Sequence, residues 1–163
     1  MLLRLGTDSI STFWELIQET IRESIPDSDS ISMEVVLSNL LSGVMQCWIL
    51  CAPNQAHVVR AMAITSLIDD PVSGTRDCLM FAALAFVPVS DAVWMRAHSD
   101  IMQFAISNNC DRLTTFTKDK RILDILSTLN YNTEYRFCSL ELKGESNEDH
   151  NAGGHQDRRL EDS

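Results

Sequence analysis

The stretch Cys78-Leu79-Met80-Phe81-Ala82-Ala83-Leu84-Ala85-Phe86-Val87 contains no charged residue and no hydroxyl or amide side chain. Read with a period of two, it places Leu79, Phe81, Ala83, Ala85 and Val87 on one face and Met80, Ala82, Leu84 and Phe86 on the other. A strand that is apolar on both faces is covered on both. This segment is therefore expected to be the central strand of a layered sheet, with Phe81 and Leu84 fully buried. Pro88 stops it. Ser90, with Asp91 in the following turn, is placed to cap a helix whose inner side carries Val93, Trp94, Ala97, Ile101, Phe104 and Ala105. His98, between Ala97 and Ser99-Asp100, is expected to face solvent.

Residues 58–68 form a second strand ahead of the central one. The turn residues Asp69-Asp70-Pro71-Val72-Ser73-Gly74 join the two as a hairpin. A shorter apolar strand, 47–51, precedes them. Further upstream, Ile10, Phe13, Trp14, Ile17, Ile21 and Ile25 recur at helical spacing, with Asp8 or Ser9 as the cap and Pro26 as the stop. Met33, Val36, Leu37, Leu40, Leu41 and Val44 mark a second helix, capped by Ser30 or Ser32. Residues 2–5 suit a short first strand. Downstream of the Asn108-Asn109 stop come a short strand at 113–116, a helix over 118–129 and a last strand over 135–142. The fold class is α/β (α+β): one domain over residues 1–142, with a mainly antiparallel sheet of six or seven strands flanked by four helices. Residues 143–163 carry three basic and six acidic side chains and almost nothing apolar, the composition of a flexible acidic tail.

The 163 residues carry a net charge of −10. A surface this acidic repels phosphate backbones, which argues against nucleic acid as a partner. No apolar run approaches the roughly 20 residues that span a bilayer, so no membrane partner is expected. Met1 to Asp8 turns polar too soon for a signal peptide. The five cysteines, Cys47, Cys51, Cys78, Cys110 and Cys138, are scattered and mostly sit in apolar runs. They read as reduced thiols in a cytoplasmic protein rather than as a metal site.

The order β, α, α, β, β, β, α, β, α, β resembles the GNAT family, the Gcn5-related N-acetyltransferases. Local stretches carry the likeness: 10–19 for the first helix, 77–89 for the strand that enters the cofactor helix, 109–114 for the next strand, and Leu129-Asn130-Tyr131 where the family often has a Gly-Phe pair. The resemblance implies acetyl-CoA as cofactor and transfer of its acetyl group to an amine, from a small-molecule or protein acceptor. It implies a cofactor site made by Phe86, Val87, Val89, Ala92, Val93, Trp94, Met95 and Arg96, with the pyrophosphate on the amides of Ala92 to Met95 at a helix N-terminus.

In the family that site carries a basic residue or Gln, then glycines. Here Val89-Ser90-Asp91-Ala92-Val93-Trp94 has neither a glycine nor a cation, and the nearest cation is Arg96. The family's leaving-group acid is a Tyr four residues before the Gly; counting back from Asn130 gives Leu126, with Tyr131 and Tyr135 as the nearby phenols. Asp69, Asp70 and His57 are the candidate bases. The alternative is an inactive GNAT-fold module that binds a protein partner or a second copy of itself. The stretch 88–96 separates the two readings: amides pointing into an open cleft favour the enzyme, and Val93 and Trp94 filling that cleft favour the module.

Overall fold

A computed structural model describes residues 2–25, 29, 31–52, 55–117 and 120–134. The elements are β1 (Leu2–Arg4), α1 (Trp14–Ser24), α2 (Met33–Leu41), β2 (Met45–Ala52), β3 (Gln55–Asp69), β4 (Arg76–Ala85), α3 (Asp91–Ser107), β5 (Arg112–Thr115) and α4 (Lys120–Thr128). Among the described residues the sheet has five strands in the order β1-β2-β3-β4-β5, fewer than the six or seven expected. The strand proposed for 135–142 lies outside the described residues. The first three pairings are antiparallel and β4–β5 is parallel, because α3 carries the chain back across the sheet.

Helices cover both faces. On one, Ile17 and Ile21 of α1 are fully buried and pack with Val36 and Leu40 of α2 over Cys47, Ile49, Met62, Ile64 and Ala82. On the other, Ile101 and Ala105 of α3 pack over Trp48, Ala63 and Cys78. Trp48 meets Phe104 edge-to-face, with ring centroids 5.0 Å apart.

The first helix departs from the expected pattern. Residues 7–9 and 11–13 form two 3-10 turns before α1 begins at Trp14, and neither Asp8 nor Ser9 caps it; Phe13 is the N-cap and makes no side-chain bond. The tighter turns still bring Ile10 into the core, at 2% exposure. Ser32 caps α2 as expected, its hydroxyl accepting the Val35 N–H at 3.4 Å.

A chain of polar groups runs through the sheet. The Trp48 indole N–H donates to Thr65 Oγ1 at 2.9 Å, and the Thr65 hydroxyl donates to Gln46 Oε1 at 2.9 Å. The Gln46 amide donates to the carbonyls of Gly43 and Val44. Thr65 is fully buried, so each partner depends on the next.

Burial also sets the thiols. It pushes Cys47 up to about 12 and Cys78 up to about 11, from an ordinary value of 9.0. Unfolded thiols ionise first, so stability falls as pH rises above about 9 and the unfolded chain loses protons that the folded chain keeps. Alkylation with iodoacetamide at pH 8, followed by mass spectrometry, should leave Cys47 and Cys78 unmodified until the protein unfolds. Labelling of either one at the rate of an unfolded control would show that its shielding is absent.

Candidate functional site

The β4–β5 pairing is short. It is fastened at its start, where the Arg76 N–H donates to Asp111 Oδ2 at 2.8 Å and the Asp111 N–H returns a bond to the Arg76 carbonyl at 2.7 Å. Arg112 grips Asp77 with two bonds of 2.8 and 3.0 Å. The pairing runs from Asp77–Arg112 to Met80–Thr115 and stops, while β4 continues to Ala85.

Just beyond Met80, β4 is irregular. Ile64 of β3 pairs with Ala82 and Thr65 with Met80, so Phe81 is an extra residue on β4. The bulge breaks the expected alternation, and Phe81 and Ala82 both turn toward the α1 side. Phe81 and Leu84 are therefore half-buried rather than fully buried, because they border an opening instead of a closed core.

The opening is a cleft of about 460 Å³ between the parted strands. Ala83 and Ala85 lie along β4, Trp94, Ala97, His98 and Ile101 come from α3, and Ile122, Ile125 and Leu126 come from α4. At the α1 end, Ser24 donates its hydroxyl to the Ala83 carbonyl at 2.9 Å, beside Glu23. Among the described lining residues Glu23 is the one acidic side chain, and the rest of the wall is mostly apolar.

His98 corrects the expectation of a solvent-facing residue. It lines the cleft, half-buried, with Nε2 2.8 Å from the Tyr131 hydroxyl. Tyr131 is placed by the end of α4. Asn130 takes a left-handed conformation (φ 61°), the Asn130 N–H bonds the Ser127 carbonyl, and the Tyr131 N–H bonds the Leu126 carbonyl. This is a Schellman-type ending, in which a glycine or asparagine turns the chain back over the helix. Asn130→Gly should leave stability unchanged or slightly raised. Asn130→Val should cost about 1–2 kcal/mol in urea unfolding; a neutral valine would mean the turn is not held as described.

Burial lowers the His98 pKa from its ordinary 6.5 and pushes Tyr131 up to about 12. Both groups are neutral at pH 7.

The other candidates stand elsewhere. Asp69 pairs with Arg76 at 2.6 and 3.0 Å at the tip of the β3–β4 hairpin, which holds its carboxyl below the usual range. Its partner Arg76 lies four residues along β4 from Met80 of the cleft wall, roughly 13 Å away. Asp70 accepts from the Ser73 hydroxyl and the Val72 N–H and shapes the turn. Tyr135 and the side chain of His57 lie outside the described residues.

At the head of α3, Ser90 is the N-cap but its hydroxyl makes no capping bond. The N–H groups of Val93 and Trp94 both donate to the Ser90 carbonyl, at 3.0 and 3.1 Å. The Val93 and Trp94 amides expected to hold a pyrophosphate are thus used inside the first turn. Val93 and Trp94 both pack on Leu50, Ala61 and Val89, and Trp94 also lines the cleft. A cation does reach this end: Arg60 of β3 donates to the Pro88 carbonyl at 2.9 Å. Among the described residues, no group of three or more His, Cys, Asp or Glu could hold a metal ion, and no helix is long and apolar enough to cross a membrane.

No family model and no curated relative matches the chain in sequence. Solved structures do match in shape. A probable acetyltransferase superposes with a TM-score of 0.67 at 10% identity, over 89% of this chain and 99% of that one. The fold is that of the GNAT acetyltransferases. An aminoglycoside acetyltransferase from an uncultured soil metagenomic sample, in complex with sisomicin, gives 0.66 at 14% identity over 89% of this chain and 96% of its own. A predicted acetyltransferase from Clostridium acetobutylicum, with acetyl-CoA, gives 0.63 at 16% identity over 87% and 96%. At such identities the GNAT likeness fixes the architecture, and the chemistry has to be argued from the cleft.

Proposed function

We propose that the protein is a GNAT-type N-acyltransferase that uses acetyl-CoA to acetylate an amine. The observation that carries this reading is the cleft at the parting of β4 and β5, walled by α3 and α4 and bordered by a half-buried His98. Bound acetyl-CoA would supply an activated thioester. The apolar wall of Ala83, Ala85, Ile101 and Leu126 suits its uncharged pantetheine and acetyl end and would keep water from the thioester. The head of α3 suits the pyrophosphate less well, with two amides engaged, Asp91 in the first turn and Arg60 bonded to the loop carbonyl. Val89, Ala92 and Arg96 remain in the proposed cofactor set, with Phe86 and Val87, whose N–H groups are tied to the Arg60 carbonyl.

Binding weaker than a glycine-rich loop would give follows from this arrangement. With acetyl-CoA at roughly ten times its dissociation constant, the stabilisation is about 1.4 kcal/mol, which should raise the thermal midpoint by about 3–6 °C. Calorimetric titration gives the constant directly and needs no knowledge of the acceptor. If millimolar acetyl-CoA gives neither heat nor a shift, the acyltransferase reading fails.

A second reading rests on that same helix start. The closed first turn, the missing glycines and Trp94 in the wall suit a GNAT-fold module that has lost its cofactor and acts by binding a protein. That reading gains only if acetyl-CoA does not bind.

A further inference from the structure

The cleft wall holds an imidazole that is hydrogen-bonded through Nε2 to a residue outside the lining, and the arrangement assigns it a part. We propose that His98 is the proton carrier of the acetyl transfer, with Tyr131 as the positioning residue that holds its ring. The inference rests on the acyltransferase reading.

The geometry separates the two roles. His98 borders the cleft, while Tyr131 is not among the residues that line it and stands behind the ring at 2.8 Å from Nε2. The rings meet edge-on, with centroids 5.7 Å apart. A neutral imidazole has one N–H and one bare nitrogen, and the partner of one nitrogen decides the state of the other. In the tautomer whose Nε2–H donates to the Tyr131 oxygen, Nδ1 is bare and able to accept a proton. Burial keeps the ring unprotonated at neutral pH, as a base requires. Few other charges act on the pair: Cys78 on β4, the one group that adds an electrostatic influence on Tyr131, is held protonated well above neutral pH; Glu23 stands at the α1 end of the cleft; and Arg96 and Asp100 are exposed on α3 itself.

The step balances within the site. As the amine nitrogen forms its bond to the thioester carbonyl carbon, Nδ1 of His98 takes one proton from that nitrogen. The carbon–sulfur bond breaks, its electron pair stays on sulfur, and His98 returns the proton to sulfur. The products are an amide and a thiol, and His98 ends neutral. Nε2–H remains on Tyr131 throughout and holds the ring in place.

The test reads the ring itself. In protein labelled with 15N at histidine, the His98 signals are assigned by their loss in His98→Gln. At pH 7 they should show Nε2 protonated and Nδ1 bare, and the Nδ1 signal should move when acetyl-CoA is added. In Tyr131→Phe the preference for that tautomer should weaken. Thiol release from acetyl-CoA with butylamine should fall roughly 100-fold in His98→Gln, with acetyl-CoA affinity unchanged. An Nδ1-protonated ring, an Nδ1 signal indifferent to bound acetyl-CoA, or equal thiol release in the two proteins, zero included, overturns the proposal. If calorimetry shows acetyl-CoA bound, any of these results removes His98 alone. If it shows no binding, the acyltransferase reading falls and takes the proposal with it.

Discussion

Thr65→Val should destabilise the protein by about 2–4 kcal/mol, although valine is nearly the same size and more apolar than threonine. The hydroxyl lost is the middle of the chain from Trp48 to Gln46. Its removal strands a buried indole N–H and a buried amide oxygen, and each unmet group costs roughly 1–3 kcal/mol. Thr65→Ser keeps the hydroxyl and loses only a methyl group, so it should cost about 1 kcal/mol. Urea unfolding of both variants decides the matter. Serine costing as much as valine would mean that the methyl packing, not the hydrogen bonds, holds this site.

Ile17→Ala should cost about 2–5 kcal/mol. Ile17 has no exposed surface and belongs to the core that joins α1 and α2 to the sheet. The vacated space is bounded by strands on one side, which cannot follow the smaller side chain inward. Val35, half exposed on α2, supplies the contrast, and Val35→Ala should change stability by no more than about 0.5 kcal/mol. A cost below about 1 kcal/mol for Ile17→Ala would show that α1 is not seated as described.

Local patterns carried the element order because each depends on residues close in sequence. The apolar run 78–87 identified β4, although the middle strand of the five described is β3; the Asp69–Gly74 turn gave the hairpin, and the stripe from Ile10 to Ile25 gave the first helix in all but its start. The bulge at Phe81 was not legible, since an extra residue is defined by what β3 pairs with and not by the hydropathy of β4. Its loss from the reading is why Phe81 and Leu84 were expected in a closed core. Arg60 escaped notice at the cofactor end because it arrives from a strand 28 residues away from Pro88. His98 could have been found: it sits four residues after Trp94 and three before Ile101, on the inward stripe of α3, and its polar neighbours Ser99 and Asp100 masked that. The left-handed turn at Asn130 was not read from the sequence, although Asn130 stands where the family often has a glycine and asparagine tolerates that conformation.

The bond from Ser24 to the Ala83 carbonyl has a consequence for how the molecule behaves in a crowd. Among the described residues, β4 outruns β5 and continues without a paired strand on that side, the kind of surface to which a foreign strand adds and on which chains begin to aggregate. Here the helix end plugs part of that edge with a hydroxyl, and α3 and α4 wall the opening beyond it. The fold can therefore leave its sheet open without inviting polymerisation, and Ser24→Ala, by unplugging the edge, should show itself first as slow self-association on storage rather than as a loss of helix or strand.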